Sequence, residues 1–187
     1  MRKVNRAAAA VGVATVALVA GTVGAAGSAV AAPAAGRHLS VHSWTLLNQS
    51  GPGPNPGQRF TAQVEARTEN GRTGGHAVVQ HVFDGEGTVR VEFDVDCLVM
   101  DGGAVTVTGP VAAAVVTRAD GSAPTTGPAG WHPETGLTFY PADAQGQLRV
   151  GWAGADLLHP ENPPRGTKCT PVPASAWVIG GRTVVHG

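Results

Sequence analysis

Three carboxylates, Glu92, Asp94 and Asp96, alternate along the stretch TVRVEFDVDC that spans residues 88–97. Two carboxyl groups whose oxygens stand about 5–9 Å apart in one cleft can act as acid and base on a glycoside. A tighter cluster of oxygens can hold calcium. Successive same-face residues of a strand lie about 7 Å apart, so one strand alone cannot close around an ion. No EF-hand-like spacing is present either, and a solvated, charged strand face is the better reading of the row. The histidines give no ligand set. His38 and His42 share parity, His76 and His81 have opposite parity, and His132, His159 and His186 fall on loops or at the chain end. Neither a Gly-x-Ser-x-Gly elbow, a His-Glu-x-x-His pair nor a phosphate loop occurs. No catalytic residue, metal or cofactor is therefore assigned. Among the aromatics Trp44, Trp131, Trp152, Trp177 and Tyr140, most are expected in a core, although aromatics of a barrel can also floor a ligand pocket or bind sugar. Trp131 lies in a Gly/Pro-rich loop beside His132, where a core role is less natural. Trp131, His132 and Tyr140 are accordingly the candidate ligand or partner contacts.

The element that must position the acidic row is a long β-hairpin over residues 88–116. Val89, Val91, Phe93, Val95, Cys97 and Val99 alternate with mostly charged residues, and period two places the first set on a buried face. A three-residue loop, Asp101-Gly102-Gly103, sets Val99 opposite Val105, Cys97 opposite Val107, Val95 opposite Gly109 and Phe93 opposite Val111. This register keeps the apolar residues on one side. It also places Ala112, Pro110 and Thr108 opposite the three carboxylates. Pro110 cannot donate to a ladder, so the returning arm is bulged or at an edge near it.

Turn signals divide the rest of the chain. Strands are expected at 39–47, 59–67 and 75–83, separated by the Pro/Gly-rich loop 51–57 and the polar turn Glu69-Asn70-Gly71-Arg72. The count across Asp84-Gly85-Glu86-Gly87 can be made in two ways. After a connection at 119–136, residues 137–140 and 147–152 form a second hairpin. A Pro-rich loop over 156–170 delivers Cys169. Residues 176–179 and 183–186 close the chain, as one bent strand or as a short hairpin at Gly180-Gly181. About eight strands and no helix-period segment predict a single antiparallel β-sandwich or up-and-down β-barrel over residues 38–187.

Composition sets the compartment. Arg2, Lys3 and Arg6 precede an uncharged run over 7–23, and Ala29-Val30-Ala31 is a small-x-small site, so residues 1–31 read as a secretory signal peptide cleaved after Ala31. The apolar run is short of the roughly 20 residues that span a bilayer, so no stable membrane anchor is expected after cleavage. Residues 32–37 are expected to form a disordered lead-in. Removing the three leader cations from thirteen basic residues leaves ten against thirteen acidic ones. A mildly negative chain with no basic patch is not a nucleic-acid binder. Two cysteines in an exported chain predict one disulfide, Cys97–Cys169.

The motifs Val95-Asp96-Cys97-Leu98-Val99 and Ala104-Val105-Thr106-Val107-Thr108-Gly109, then Cys169 and the closing Gly181-Arg182-Thr183-Val184-Val185-His186, resemble secreted β-domains common in actinobacteria, some labelled repetin. The second hairpin departs from that pattern, with Gln147-Leu148-Arg149 where an Asp-Arg is expected. The resemblance implies a secreted β fold and no catalytic residues. The function expected from sequence is a non-enzymatic extracellular domain that binds a protein or ligand or has a structural role. The alternative is a secreted hydrolase whose Asp/Glu or His residues are assembled by the fold.

Overall fold

The computed structural model describes residues 39–187; the expected signal peptide, 1–31, and lead-in, 32–37, lie outside them. Ten strands follow one another: β1 (Leu39–Asn48), β2 (Gln58–Glu69), β3 (Arg72–Phe83), β4 (Gly87–Asp94), β5 (Cys97–Asp101), β6 (Ala104–Arg118), β7 (Thr125–Thr126), β8 (Glu134–Tyr140), β9 (Arg149–Ala153) and β10 (Ala176–His186). Every pairing is antiparallel. The order β4-β3-β2-β1-β10-β9-β8-β6 returns to β4, closing a barrel of eight strands, with β5 and β7 added on β6. Of the two architectures open from sequence, the fold is thus the barrel. Closure removes the free edges that a sheet of this size would otherwise expose.

Alternation explains the wall. On β2, Phe60, Ala62, Val64 and Ala66 are buried while Gln63, Glu65 and Arg67 are exposed. Asn70-Gly71 makes the two-residue turn to β3, with Glu69 opposite Arg72 and both turn residues at positive φ, as a type I′ hairpin requires. The inward side chains fill the barrel: Val41, Phe93, Val107, Leu137 and Val150 belong to one cluster and are essentially inaccessible. A smaller cluster of Val91, Val111, Ala114 and Leu157 sits beside it, with Trp131 and Trp152 packed against it.

The central hairpin is formed, but its register differs from the expected one. The turn has two residues, Gly102-Gly103, with φ of 55° and 83°, and Asp101 pairs with Ala104. Cys97 therefore faces Thr108, Leu98 faces Val107 and Val99 faces Thr106. Phe93 does pair with Val111, whereas Glu92 stands opposite Ala113 rather than Ala112. Two irregularities account for the shift. Ala112 is an extra residue in β6, close to Pro110, where a bulge was expected. The outgoing arm also breaks at Val95-Asp96, whose amides bond to the Gly75 and Thr108 carbonyls. Parity changes across that break, so Leu98 joins the core in place of Val99, and Cys97 turns to the outer side.

Cys97 is nevertheless buried, because residues 154–175 run over the outer surface of β5, β6, β8 and β9. The segment is held by the Cys97–Cys169 disulfide, with Cα atoms 5.6 Å apart. Threonines that alternation alone would put in water receive it: the Cys169 amide donates to Thr108 Oγ1 at 3.1 Å and the Val172 amide to Thr138 Oγ1 at 2.8 Å. The Tyr140 hydroxyl donates to the Val172 carbonyl at 2.7 Å. Gly151 permits the approach, since a Cβ there would lie 2.0 Å from the Val172 oxygen. β10 then closes the chain as one bent strand, paired with β1 from Trp177 to His186 with Ile179 bulged out.

The two barrel ends differ. At one, β5 leans across and touches β1, β2 and β3. At the other, His81 on β3 points inward with Phe60 and Phe83, its ring centroid 4.9 Å and 3.9 Å from theirs. Burial lowers the His81 pKa from its usual 6.5. An imidazole held neutral in the fold but free to protonate when unfolded stabilises the protein fully above that value. Stability is then expected to fall as pH drops below 6.5 toward the folded-state pKa. Urea unfolding of wild type and His81→Phe across that range checks it: the wild-type loss should be steeper, and parallel profiles would contradict the assignment.

Candidate functional site on the outer wall

The acidic row lies outside the barrel, on its convex surface, with Arg90 beside Glu92, Lys168 beside Asp96 and His76 between Glu92 and Asp94. Glu92 accepts from Arg90 Nε at 2.8 Å and meets His76 Nε2 at 3.2 Å. The Arg90 hydrogen bond, aided by His76, holds its carboxyl below the usual range. Asp94 stands 3.6 Å from the other His76 nitrogen, and Asp96 is bonded by Lys168. Because His76 meets the two carboxylates through different ring nitrogens, no common point is left for an ion. Among the described residues no three His, Cys, Asp or Glu side chains are grouped to hold a metal.

The three residues singled out from sequence each have a partner within the fold, Trp131 and His132 from one loop and Tyr140 from the end of β8. Trp131 is half-buried; its Nε1–H donates to the Pro160 carbonyl at 3.2 Å and its ring lies against Gly127 and the second cluster. His132 Nδ1 is 2.7 Å from the Val111 carbonyl. Tyr140 fastens Val172, as above. Their common role in this fold is to secure the covering segments 127–133 and 154–175.

A different residue stands out. Trp44 is 50% exposed, the largest aromatic surface offered to solvent among the described residues. Register explains its setting. Outward residues come into line across the strands: Arg182, Trp44, Gln63 and Val78 form one row, and Val184, His42, Glu65, His76 and Asp94 the next. A further row brings Ser40, Arg67 and Gly74 together. Small residues leave depressions in this wall. One, of about 380 Å³, is bordered by Trp44, His42, Glu65, Gly181, Arg182 and Val184. A second, of about 500 Å³, runs from His42 and Glu65 to Arg67, Gly74 and Gly75. Sharing His42 and Glu65, they form one open trough along β10, β1, β2 and β3. Its lining combines one broad apolar face with donors and acceptors of both charge signs.

No family model matches the chain, and neither a curated protein nor a solved structure shows significant similarity to it.

Proposed function

We propose that this chain is a non-catalytic extracellular binding domain that holds a saccharide chain in the trough beside Trp44. The observation that carries the reading is a half-exposed indole set in a rigid sheet face and ringed by Gln63, Glu65, His42 and Arg182. A pyranose ring has an apolar face of C–H groups and a rim of hydroxyls. The indole supplies a flat partner for the first, and the mixed carboxylate, amide, imidazole and guanidinium groups bond the second. Opposite charges beside one another favour a neutral polyhydroxyl ligand over a small ion. The depressions are open and elongated, which suits a chain passing across the wall rather than a molecule enclosed in it.

Two further features support this reading. The disulfide accords with an oxidising, extracellular setting. The carboxylates of the acidic row are engaged by Arg90, His76 and Lys168 on the convex wall, which suits a surface that binds without cleaving. Retention of the purified domain on insoluble polysaccharides and on cell-wall glycan is the test. Trp44→Ala is expected to weaken retention at least about tenfold, as loss of a central aromatic contact does, while the circular dichroism spectrum stays unchanged. Absence of wild-type retention on every polysaccharide, or equal retention of Trp44→Ala, would refute the proposal.

A further inference from the structure

The barrel end that carries His81 is not flush. A recess of about 140 Å³ opens there, bordered by Phe60, Val79, His81, Phe83, Val89, Val91 and Trp152, with Gln49, Gly154 and Ala155 at its rim. Its walls come from β2, β3, β4 and β9, all rigid parts of the wall, and the rim from the segments that follow β1 and β9. Mouths of β-barrels are common ligand sites, and an apolar space of about 150 Å³ accommodates a benzene ring. The size therefore sets the ligand at a single ring with one or two substituents.

Polarity narrows the class. Gln58 Oε1 accepts from Asn55 Nδ2 at 3.3 Å and lies 3.2 Å from His81 Nε2. An oxygen already accepting one hydrogen bond accepts the second, which fixes the His81 tautomer with its proton on Nε2. Nδ1 is then a lone-pair acceptor with no protein partner among the described residues. The indole N–H of Trp152, on the facing wall, is likewise a donor without one. Aromatic walls, one open acceptor and one open donor are complementary to an aromatic ring that carries a hydroxyl, which both donates and accepts. A carboxylate would meet no cation in the recess, and an ammonium would compete with the imidazole for a site whose burial already disfavours charge.

We propose that this recess is a second binding site, separate from the Trp44 trough, for a small neutral phenol-like ring, with the hydroxyl bonded to His81 Nδ1. It does not rest on the saccharide reading, since the trough lies on the outer wall and the recess opens from the interior.

Titrating the full domain with phenol and with fluorobenzene, a ring of similar size that lacks the donor, tests it by amide and imidazole ¹⁵N chemical shifts. Phenol should give saturable shifts confined to Gln49, Phe60 and residues 79–91 and 152–155, together with a shift of the His81 Nδ1 resonance. It should bind about tenfold more tightly than fluorobenzene, the ratio one good hydrogen bond supplies. His81→Phe should abolish that preference, and Val89→Phe, which fills the recess, should abolish binding of both probes. Unsaturable or scattered shifts with phenol would overturn the site. Equal affinity for the two probes in the wild type, which needs no variant to fold, would overturn the hydroxyl assignment and with it the proposal. Neither result bears on Trp44, whose variant reads the trough alone.

Discussion

Serine at both Cys97 and Cys169 is expected to lower the unfolding free energy by about 2–5 kcal/mol. The bond joins residues 72 apart in sequence, and a loop of that length corresponds to about 4 kcal/mol of restricted unfolded-state entropy. Where the loss should appear follows from what else holds each segment. Residues 154–175 contribute little hydrophobic anchoring: Leu157 is buried but Leu158 is 58% exposed. They depend on the disulfide, on the Thr108 and Thr138 hydroxyls and on Tyr140. β10 is different, because it pairs with β1 over nearly its whole length whether or not Cys169 is tethered. Hydrogen exchange on the double variant should therefore show protection falling first in residues 164–175, at the Val172 amide above all, with β10 and β4 close to wild type. Early loss of protection in β4 would mean that the disulfide holds the barrel itself and not its cover.

Part of the barrel was legible in the sequence because on strands such as β2 the inward residues alternate strictly. Arg59 to Arg67 reads unambiguously, and the Asn70-Gly71 pair fixes its turn. The central hairpin shows what alternation cannot carry. Its expected register assumed an unbroken ladder from Phe93 to Val105, and on that assumption a single face collects every valine. A break at Val95-Asp96 and a bulge at Ala112 each change parity, and neither alters composition, so nothing in the residue pattern marks both. The two consecutive glycines at 102 and 103 were the available signal, since both take positive φ in a two-residue turn.

The site was less legible for related reasons. Strand β1 showed no clean alternation because its inward face includes Ser43 and Thr45, which are buried and satisfied by Thr183 Oγ1 at 2.8 Å and the Ala62 carbonyl at 3.4 Å. With polar residues inside, Trp44 looked like one more core aromatic. Its parity with His42, against Val41 and Leu47, is the sequence feature that places it outside. The reverse holds for Thr106, Thr108 and Thr138, which alternate like solvent-facing residues and are buried beneath a segment with no hydrophobic pattern of its own. The opposite parities of His76 and His81 did carry information: one lies on the outer wall against Glu92, the other in the barrel mouth. The Trp131 loop is rich in Gly and Pro, yet what it provides is the Pro160 anchor of the covering segment.

Phe93→Ala is expected to cost about 3–5 kcal/mol, the range for deleting a buried aromatic side chain. The barrel interior is built mainly from valine and alanine, and Phe93 is the largest of its wholly inaccessible side chains. It sits on β4 between β3 and β6, opposite Ala77 on one side and Val111 on the other. Neither neighbour can grow to fill the space, and a closed eight-stranded wall cannot collapse inward without breaking register, so the cavity should persist. A loss of that size is a large fraction of the 5–15 kcal/mol typical of a domain. The variant also has a local readout: Trp152, whose ring centroid lies 6.4 Å from that of Phe93, loses a packed neighbour, and its fluorescence should shift toward that of a hydrated indole. The same change enlarges the apolar space next to the recess bordered by Trp152 and Val91. Thermal unfolding with and without benzene separates the two consequences. A lowered midpoint partly restored by benzene is expected, whereas a loss below about 1 kcal/mol would show that the wall relaxes around the missing ring and is softer than its closed pairing requires.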